Sequence, residues 1–480
     1  MLQDQVQGNK RVQFQETVDK HFDDSLPLFM DILRVPSQSR EFDPEYLTNG
    51  LLLQSAKLFK ELVENLKLKN AKIELLTDEG LSPFLFVEVE GSDGDTDGSV
   101  LFYGHMDKQP PFTGWRDGLS AYDPKIINDK LYARGGADDS YSVLGSVIAI
   151  RTIQDLGLKH PRVVMIFEAD EESGSDHIEH YLNKLKDRIA NVDLIVCLDS
   201  GCGNYEQFWS TTTLRGLVGA NVTVQILNEG VHSGDASGVV PSSFRIFRQL
   251  LNRIDDPKTG EVVDDFQVTI PGERYIQAQK TAAVFSEGLI NKFPLHQNTQ
   301  PVSADPFKAY INKVWKAQLA ITGADGLPHA SNAGNVLRPE TTLKLSVRLP
   351  PTKDPKEAEE SFIRILTTNI PYGATVKIEG LNSGAGFNAL DNKPYLDKLI
   401  DEASNLFYGK EAVTFGEGGS IPLMNTLQQQ FPQAQFIITG VLGPNSNEHG
   451  PNECLDLPYT KKLISCIAYI VSGAQQHLKK

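Results

Sequence analysis

Apolar residues recur at helical spacing in two segments near the start of the chain. The first holds Val12, Phe14, Val18, Phe22, Leu26, Phe29, Ile32 and Leu33, and the second covers residues 50–67. Pro27 lies inside the first and predicts a kink or a split there. Strand-like runs follow at Ile73–Leu76, Pro83–Val89 and Ser99–Tyr103. Tyr141–Leu156 has the pattern of an amphipathic helix. Arg162–Phe167 is a continuous apolar run of the kind buried on both faces of a sheet. A helix near 175–187 and a strand at Asp193–Leu198 continue the alternation. This order predicts a doubly wound α/β domain with a largely parallel sheet.

Near Thr211 the pattern changes. Leu217–Ile226 alternates apolar and polar positions, as a half-exposed antiparallel strand does. A helix over 242–254, a mixed segment over 257–330, a strand at Thr341–Leu349, a helix over 355–368 and a strand at Thr375–Glu379 come next. That order is the signature of a small α+β, ferredoxin-like unit with helices on one face. The α/β texture then returns with a helix over 394–407, a loop at Phe415–Ser420, a strand at Phe436–Thr439 and a helix over 459–475. The chain therefore reads as a discontinuous α/β domain, 1–212 and 386–480, interrupted by an inserted domain over 213–385.

Composition narrows the partners. A chain of 480 residues, 40% hydrophobic and 22% charged, is long enough for two ordinary globular cores. Its net charge of −16 argues against nucleic acid or an anionic membrane as the main partner. No apolar run has the length of a membrane span, and the first twenty residues do not read as a signal peptide. Cys197, Cys202, Cys454 and Cys466 fit neither a disulfide framework nor a paired-cysteine zinc site. They read as reduced thiols of a cytoplasmic protein.

Strands of a doubly wound sheet present their C-terminal ends to a common crevice. Ligand-type residues cluster at the expected exits: His105 and Asp107, Asp138 and Asp139 on a glycine-supported turn, Asp170–Glu172, and Asp199. His449 lies in the loop after the last strand. Taken singly, each has a bland reading as a helix cap, a structural hydrogen bond or a solvated acidic pair. Their coincidence at strand exits favours a metal site. Histidine and carboxylate without thiolate suit zinc, cobalt or manganese with a position left for water. In an extended His105-Met106-Asp107 both polar side chains point the same way, so Asp107 can accept the imidazole N–H. Of the adjacent Glu171 and Glu172, one can ligate while the other stays free as a general base. The pattern leaves one metal or two open.

These motifs resemble a family. Tyr103–Asp107, Ala133–Asp139, Asp170–Ser175, Asp199, Val231–Gly234, Ser346–Pro350, Gly416–Pro422 and His449–Glu453 are similar, in order over most of the chain, to a group of di-zinc metallopeptidases. That group includes carnosine dipeptidase, glutamate carboxypeptidase and succinyl-diaminopimelate desuccinylase, and the dipeptidase branch is nearest in look. The resemblance implies two divalent metals, zinc foremost and manganese or cobalt as alternatives. His105 and Asp199 would hold one, Glu172 and His449 the other, with Asp138 as bridge. It implies Glu171 as general base, Asp107 as the orienting carboxylate, and His232 as an oxyanion donor reaching a neighbouring subunit. Arg348, helped by Gly419 and Ser420, would hold the substrate's C-terminal carboxylate, with Asn335 a further polar contact. The inserted domain would act as lid and dimerisation domain of a homodimer.

The implied activity is hydrolysis of a dipeptide or similar aminoacyl amide. The alternatives are an N-acyl-amino-acid deacylase or carboxypeptidase on the same metals, and, from a different class, a catalytically silent binding protein. Two departures bear on substrate preference. Ser140-Tyr141 stands where many relatives have Lys-Gly, adding bulk at the helix mouth. Phe387-Asn388 stands where relatives often offer a substrate-contacting histidine.

Overall fold

The computed structural model describes residues 2–92, 94 and 98–478. They form two compact units, one of Met1–Thr211, Ala389–Thr414 and Thr426–Lys480, the other of Thr212–Asn388 and Phe415–Asn425.

The first unit is built on a six-stranded sheet. In spatial order its strands are Ala71–Leu76, Phe84–Val89, Arg162–Glu168, Ser99–His105, Val192–Cys197 and Gln435–Ile438. The last four run parallel to one another, while Phe84–Val89 is antiparallel to both of its neighbours. The sheet is thus mixed where a largely parallel one was expected. The short link between Ala71–Leu76 and Phe84–Val89 explains part of the difference, because adjacent strands joined so tightly can only return antiparallel. The parallel strands are the apolar ones: Val100–Tyr103, Val163–Phe167 and Leu194–Cys197 are fully buried. Residues that cannot face water on either side place these strands at the sheet centre, and their C-terminal ends come out side by side.

Helices Leu2–Arg34, Tyr141–Asp155 and Leu457–Leu478 pack on one another in this unit. Pro27 lies within the first helix without splitting it. Phe22, Phe29, Ile32 and Leu33 are fully buried on both sides of it, so packing outweighs the one backbone hydrogen bond that proline removes. The helix expected near 175–187 is two short ones, Ile178–Lys184 and Lys186–Ile189.

The second unit holds a four-stranded antiparallel sheet, in the order Gln318–Asp325, Glu340–Leu349, Gly216–Gln225 and Thr375–Gly384. Along the chain this is strand, helix, two strands, helix, strand. Thr341, Leu343, Leu345, Val347 and Leu349 are buried at alternate positions, so one face of the sheet meets helices Ser243–Leu251 and Pro355–Thr367. The mixed stretch 257–330 supplies the edge strand Gln318–Asp325 and helices Gly272–Phe285 and Pro306–Val314.

Phe362, fully buried between helix and sheet in that core, gives a test of the packing. Phe362→Ala should lower unfolding free energy by ~3–5 kcal/mol, read as a lower urea midpoint.

Candidate metal centre

Three adjacent parallel strands deliver the first side chains. Ser99–His105 ends on His105, and its neighbours lead into Asp170–Glu172 and Asp199. The turn carrying Asp138 and Asp139 crosses close above. A Cβ on Gly104 would lie 2.0 Å from Ser142 Oγ and 2.8 Å from Asp139 Oδ2, so only glycine lets the turn approach. The Asp138–Asp139 peptide bond is cis.

His105 is fully buried. Its Nδ1 lies 3.1 Å from the backbone carbonyl of Asp107 and 3.5 Å from that residue's carboxylate. The carbonyl is therefore the nearer acceptor, where the sequence pointed to the carboxylate. The Asp107 carboxylate instead accepts the Glu171 N–H at 3.2 Å and the Glu172 N–H at 3.0 Å, fixing the bend that turns both glutamates inward. Asp170 steadies the same bend from behind, accepting from Arg40 Nε at 3.1 Å and from the His177 N–H at 3.2 Å.

With Nδ1 committed, His105 Nε2 faces carboxylates only. It lies 3.4 Å from Asp138 Oδ1, 3.9 Å from Asp199 Oδ1 and 4.0 Å from Glu171 Oε2, and makes no hydrogen bond. The other oxygen of Asp138 lies 2.9 Å from His449 Nε2, which is 3.3 Å from Glu172 Oε2. Asp138 thus offers one oxygen to each of two imidazoles. Ligand atoms of His105, Asp138 and Glu172 lie within 4.8 Å of one another, as do those of His105, Asp139 and Asp199. Asp139, the neighbour of Asp138 on the turn, therefore lines the second group.

The electrostatics describe a site short of positive charge. Burial pushes the Glu171 and Glu172 carboxyls up to about 8, although His105 opposes the shift at Glu171. Burial, then the Asp139 charge, raises Asp199. Burial alone would raise Asp138 too, yet the His105 and His449 imidazoles beside its two oxygens hold it below the carboxylate range. His449 is half-exposed; what burial it has works against its charge, but Asp138 and Glu172 hold its pKa up to about 10. Five carboxylates against two imidazoles, with His105 Nε2 and Glu172 Oε1 buried and unbonded, fit divalent cations.

Residues missed in the sequence hold this cradle. Glu453 is fully buried, and its Oε1 accepts the N–H groups of Ala137 at 3.0 Å and Asp138 at 3.1 Å. Its Oε2 accepts from the Gly135 N–H at 3.1 Å and from Arg134 Nη1 at 2.7 Å. Arg134 also donates to the Gly450 carbonyl at 2.7 Å, tying the turn to the loop that carries His449. Gln109 Nε2 donates to Glu172 Oε2 at 2.6 Å. Glu453 follows His449 in a motif quoted above, but nothing in its spacing reveals a carboxylate that gathers backbone amides.

The remaining candidates lie in the second unit. His232 is exposed, its Nδ1 accepting the Asp235 N–H, and it pairs with Val336 in a two-stranded ribbon. The exposed Asn335 is next to that pair, its carbonyl accepting the Ser233 N–H. Arg348 Nη1 donates to Ser420 Oγ at 3.2 Å, and the Gly419 carbonyl accepts the Arg215 N–H at 3.0 Å. Of the two departures, Tyr141 is buried beneath the exits, its hydroxyl donating to the Leu198 carbonyl, so its bulk braces the Asp199 strand end. Asn388 accepts from Arg274 Nε at 2.8 Å.

The sequence profile of Peptidase family M20/M25/M40 matches residues 101–473. The cysteinylglycine-S-conjugate dipeptidase of Corynebacterium striatum is 27% identical over 378 residues, covering 75% of this chain and 77% of that protein. The human Beta-Ala-His dipeptidase is 25% identical over 411 residues, covering 83% and 78%. The crystal structure of human carnosine dipeptidase 1 superposes with a TM-score of 0.79 at 20% identity, covering 97% of this chain and 99% of that one, and shows the shared fold.

Glu171, Glu172 and His449 have folded-state pKa values above the ordinary 4.5, 4.5 and 6.5. Folded, metal-free protein therefore binds more protons than unfolded chain, and the stability this confers is lost as pH rises towards about 8 for the glutamates and about 10 for the histidine. The thermal midpoint of chelator-treated protein should fall, relative to the metal-loaded form, from about pH 5 to about pH 9. Scanning calorimetry reads this; a gap that does not widen with pH would contradict it. Glu453→Gln should weaken metal affinity by about 10–100-fold, measured by chelator competition, with the fold retained by circular dichroism.

Proposed function

The chain belongs to Peptidase family M20/M25/M40, and from that membership we propose that it is a metal-dependent dipeptidase acting on dipeptides or similar small aminoacyl amides. The observation that carries this reading is Asp138, whose two oxygens face His105 on one side and His449 on the other. In the proposed assignment His105 and Asp199 hold one divalent cation, Glu172 and His449 the other, and Asp138 both. Two such ions, zinc foremost with manganese or cobalt as alternatives, would acidify a water and polarise the scissile carbonyl.

The chain's own groups do the rest. Glu171 is held in the cluster by the Asp107 contact to its N–H and lies outside both ligand groups. It takes the proton of the attacking water and returns it to the leaving amine. Arg348, with Ser420, holds the substrate's C-terminal carboxylate, a task that suits a planar guanidinium. His232 donates to the developing oxyanion of a partner subunit's site, and its exposure on the second unit supports that reach. This assigns lid and dimerisation roles to the inserted unit and a homodimer to the protein. The four buried cysteines, none of them in a disulfide, support a reducing, cytoplasmic setting, and among the described residues no helix is long and apolar enough to cross a membrane.

Purified protein should hydrolyse dipeptides, lose that activity on chelation and regain it with zinc or manganese. Glu171→Gln should lower kcat by about 10²-fold or more with both metals retained. Turnover intact in that variant would refute the base. A panel in which N-acetyl or N-succinyl amino acids outperform every dipeptide would move the function to deacylation.

A further inference from the structure

The second unit buries a cation that the roles above do not use. Arg215 is only 9% exposed, and its Nη1 is fully buried without a hydrogen-bond partner. Among the described residues no carboxylate lies within ion-pair distance of Arg215 or Arg348, and Glu417, the acidic group nearest in effect, is engaged by Lys313 at 3.4 Å. Burial, then the charge on Arg348, pushes the Arg215 guanidinium down to about 10. A buried charge left this way is costly unless something of opposite sign joins it.

The backbone places the two guanidiniums together. Arg348 pairs with Leu217 across antiparallel strands, and Arg215 stands in the one-residue link between strands Trp209–Leu214 and Gly216–Gln225. Arg348 therefore leaves the sheet on the face opposite the buried Val347, close enough to Arg215 for its charge to act there. Residue 215 also fastens the glycine loop. Its N–H donates to the Gly419 carbonyl at 3.0 Å, its Nε to the Gly418 carbonyl at 3.0 Å, and its own carbonyl accepts from the Ser420 hydroxyl. That hydroxyl is the group Arg348 touches.

We propose that Arg215 is a positioning and specificity residue: with Arg348 and the Gly418–Ser420 loop it makes a two-guanidinium pocket that requires an anionic C-terminus on the substrate. The inference rests on the reading that Arg348 holds the substrate carboxylate. Arg215 acts through the loop it fastens and through its charge, so its loss weakens binding of the carboxylate rather than the chemical step.

The test compares a dipeptide with the same dipeptide C-terminally amidated, in wild type, Arg215→Met and Arg215→Lys, each at equal metal content. Arg215→Met should raise KM for the free dipeptide about 10–100-fold with kcat within about threefold. Its kcat/KM for the amide should stay within about twofold of wild type. Arg215→Lys, keeping charge but not the fork, should restore part of the KM loss. Equal losses on both substrates, or a collapse of kcat, would reduce Arg215 to a structural residue and overturn the proposal, as would an unchanged KM. If Arg215→Met does not fold, Arg215→Lys decides: KM raised severalfold at constant kcat supports it, and unchanged KM overturns it. Wild type inactive on every dipeptide would instead defeat the functional reading on which the inference stands.

Discussion

The buried Glu453 carboxylate is the contact on which the rest of the centre depends. A turn that carries two adjacent aspartates has no reason of its own to hold them against a wall of further carboxylates. Its amide groups need an acceptor, and Glu453 takes three of them together with one arm of Arg134. The same guanidinium then reaches the carbonyl of Gly450, beside His449. One buried ion pair, fully hydrogen bonded, thereby sets where Asp138 and His449 stand relative to each other. Such a pair adds little net stability, and its worth lies in geometry.

Around that latch, the centre stores repulsion. Burial alone would protonate most of its acidic groups, and two imidazoles cannot balance five carboxylates. The sheet imposes this arrangement because its apolar strands must sit side by side, which forces their polar exits together. Bound cations would turn the repulsion into attraction, and in this way the fold's own strain becomes affinity for metal. The second unit repeats the logic with the opposite sign, where Arg215 and Arg348 meet at Ser420 and, among the described residues, no carboxylate lies within ion-pair distance of either.

What could be read from the sequence followed the physics of each signal. Continuous apolar runs located Ser99–His105, Arg162–Glu168 and Val192–Cys197, and ligand-type residues at their ends were visible for the same reason. The direction of Phe84–Val89 was not, since apolar pattern reports burial and not strand polarity. Pro27 carried a strong local signal that tertiary packing overrode. Tyr141 looked like bulk at a helix mouth and is a brace, because sequence cannot show which way a ring turns. Glu453 and Arg215 were silent for a shared reason. Their partners are backbone amides and carbonyls, which every residue possesses and no motif displays.

The latch also fixes an order of events in the life of the molecule. His105 and Asp138 are synthesised early, but the carboxylate that shapes their turn arrives only with Glu453, from the far side of the inserted unit. Until the chain has been made that far and has folded back, the aspartate turn lacks its amide acceptor and the second imidazole is absent. The cradle is thus closed by long-range contacts, the slowest kind to form. A cation met by an emerging chain would find the aspartate turn without its amide acceptor and only one of the two imidazoles in place.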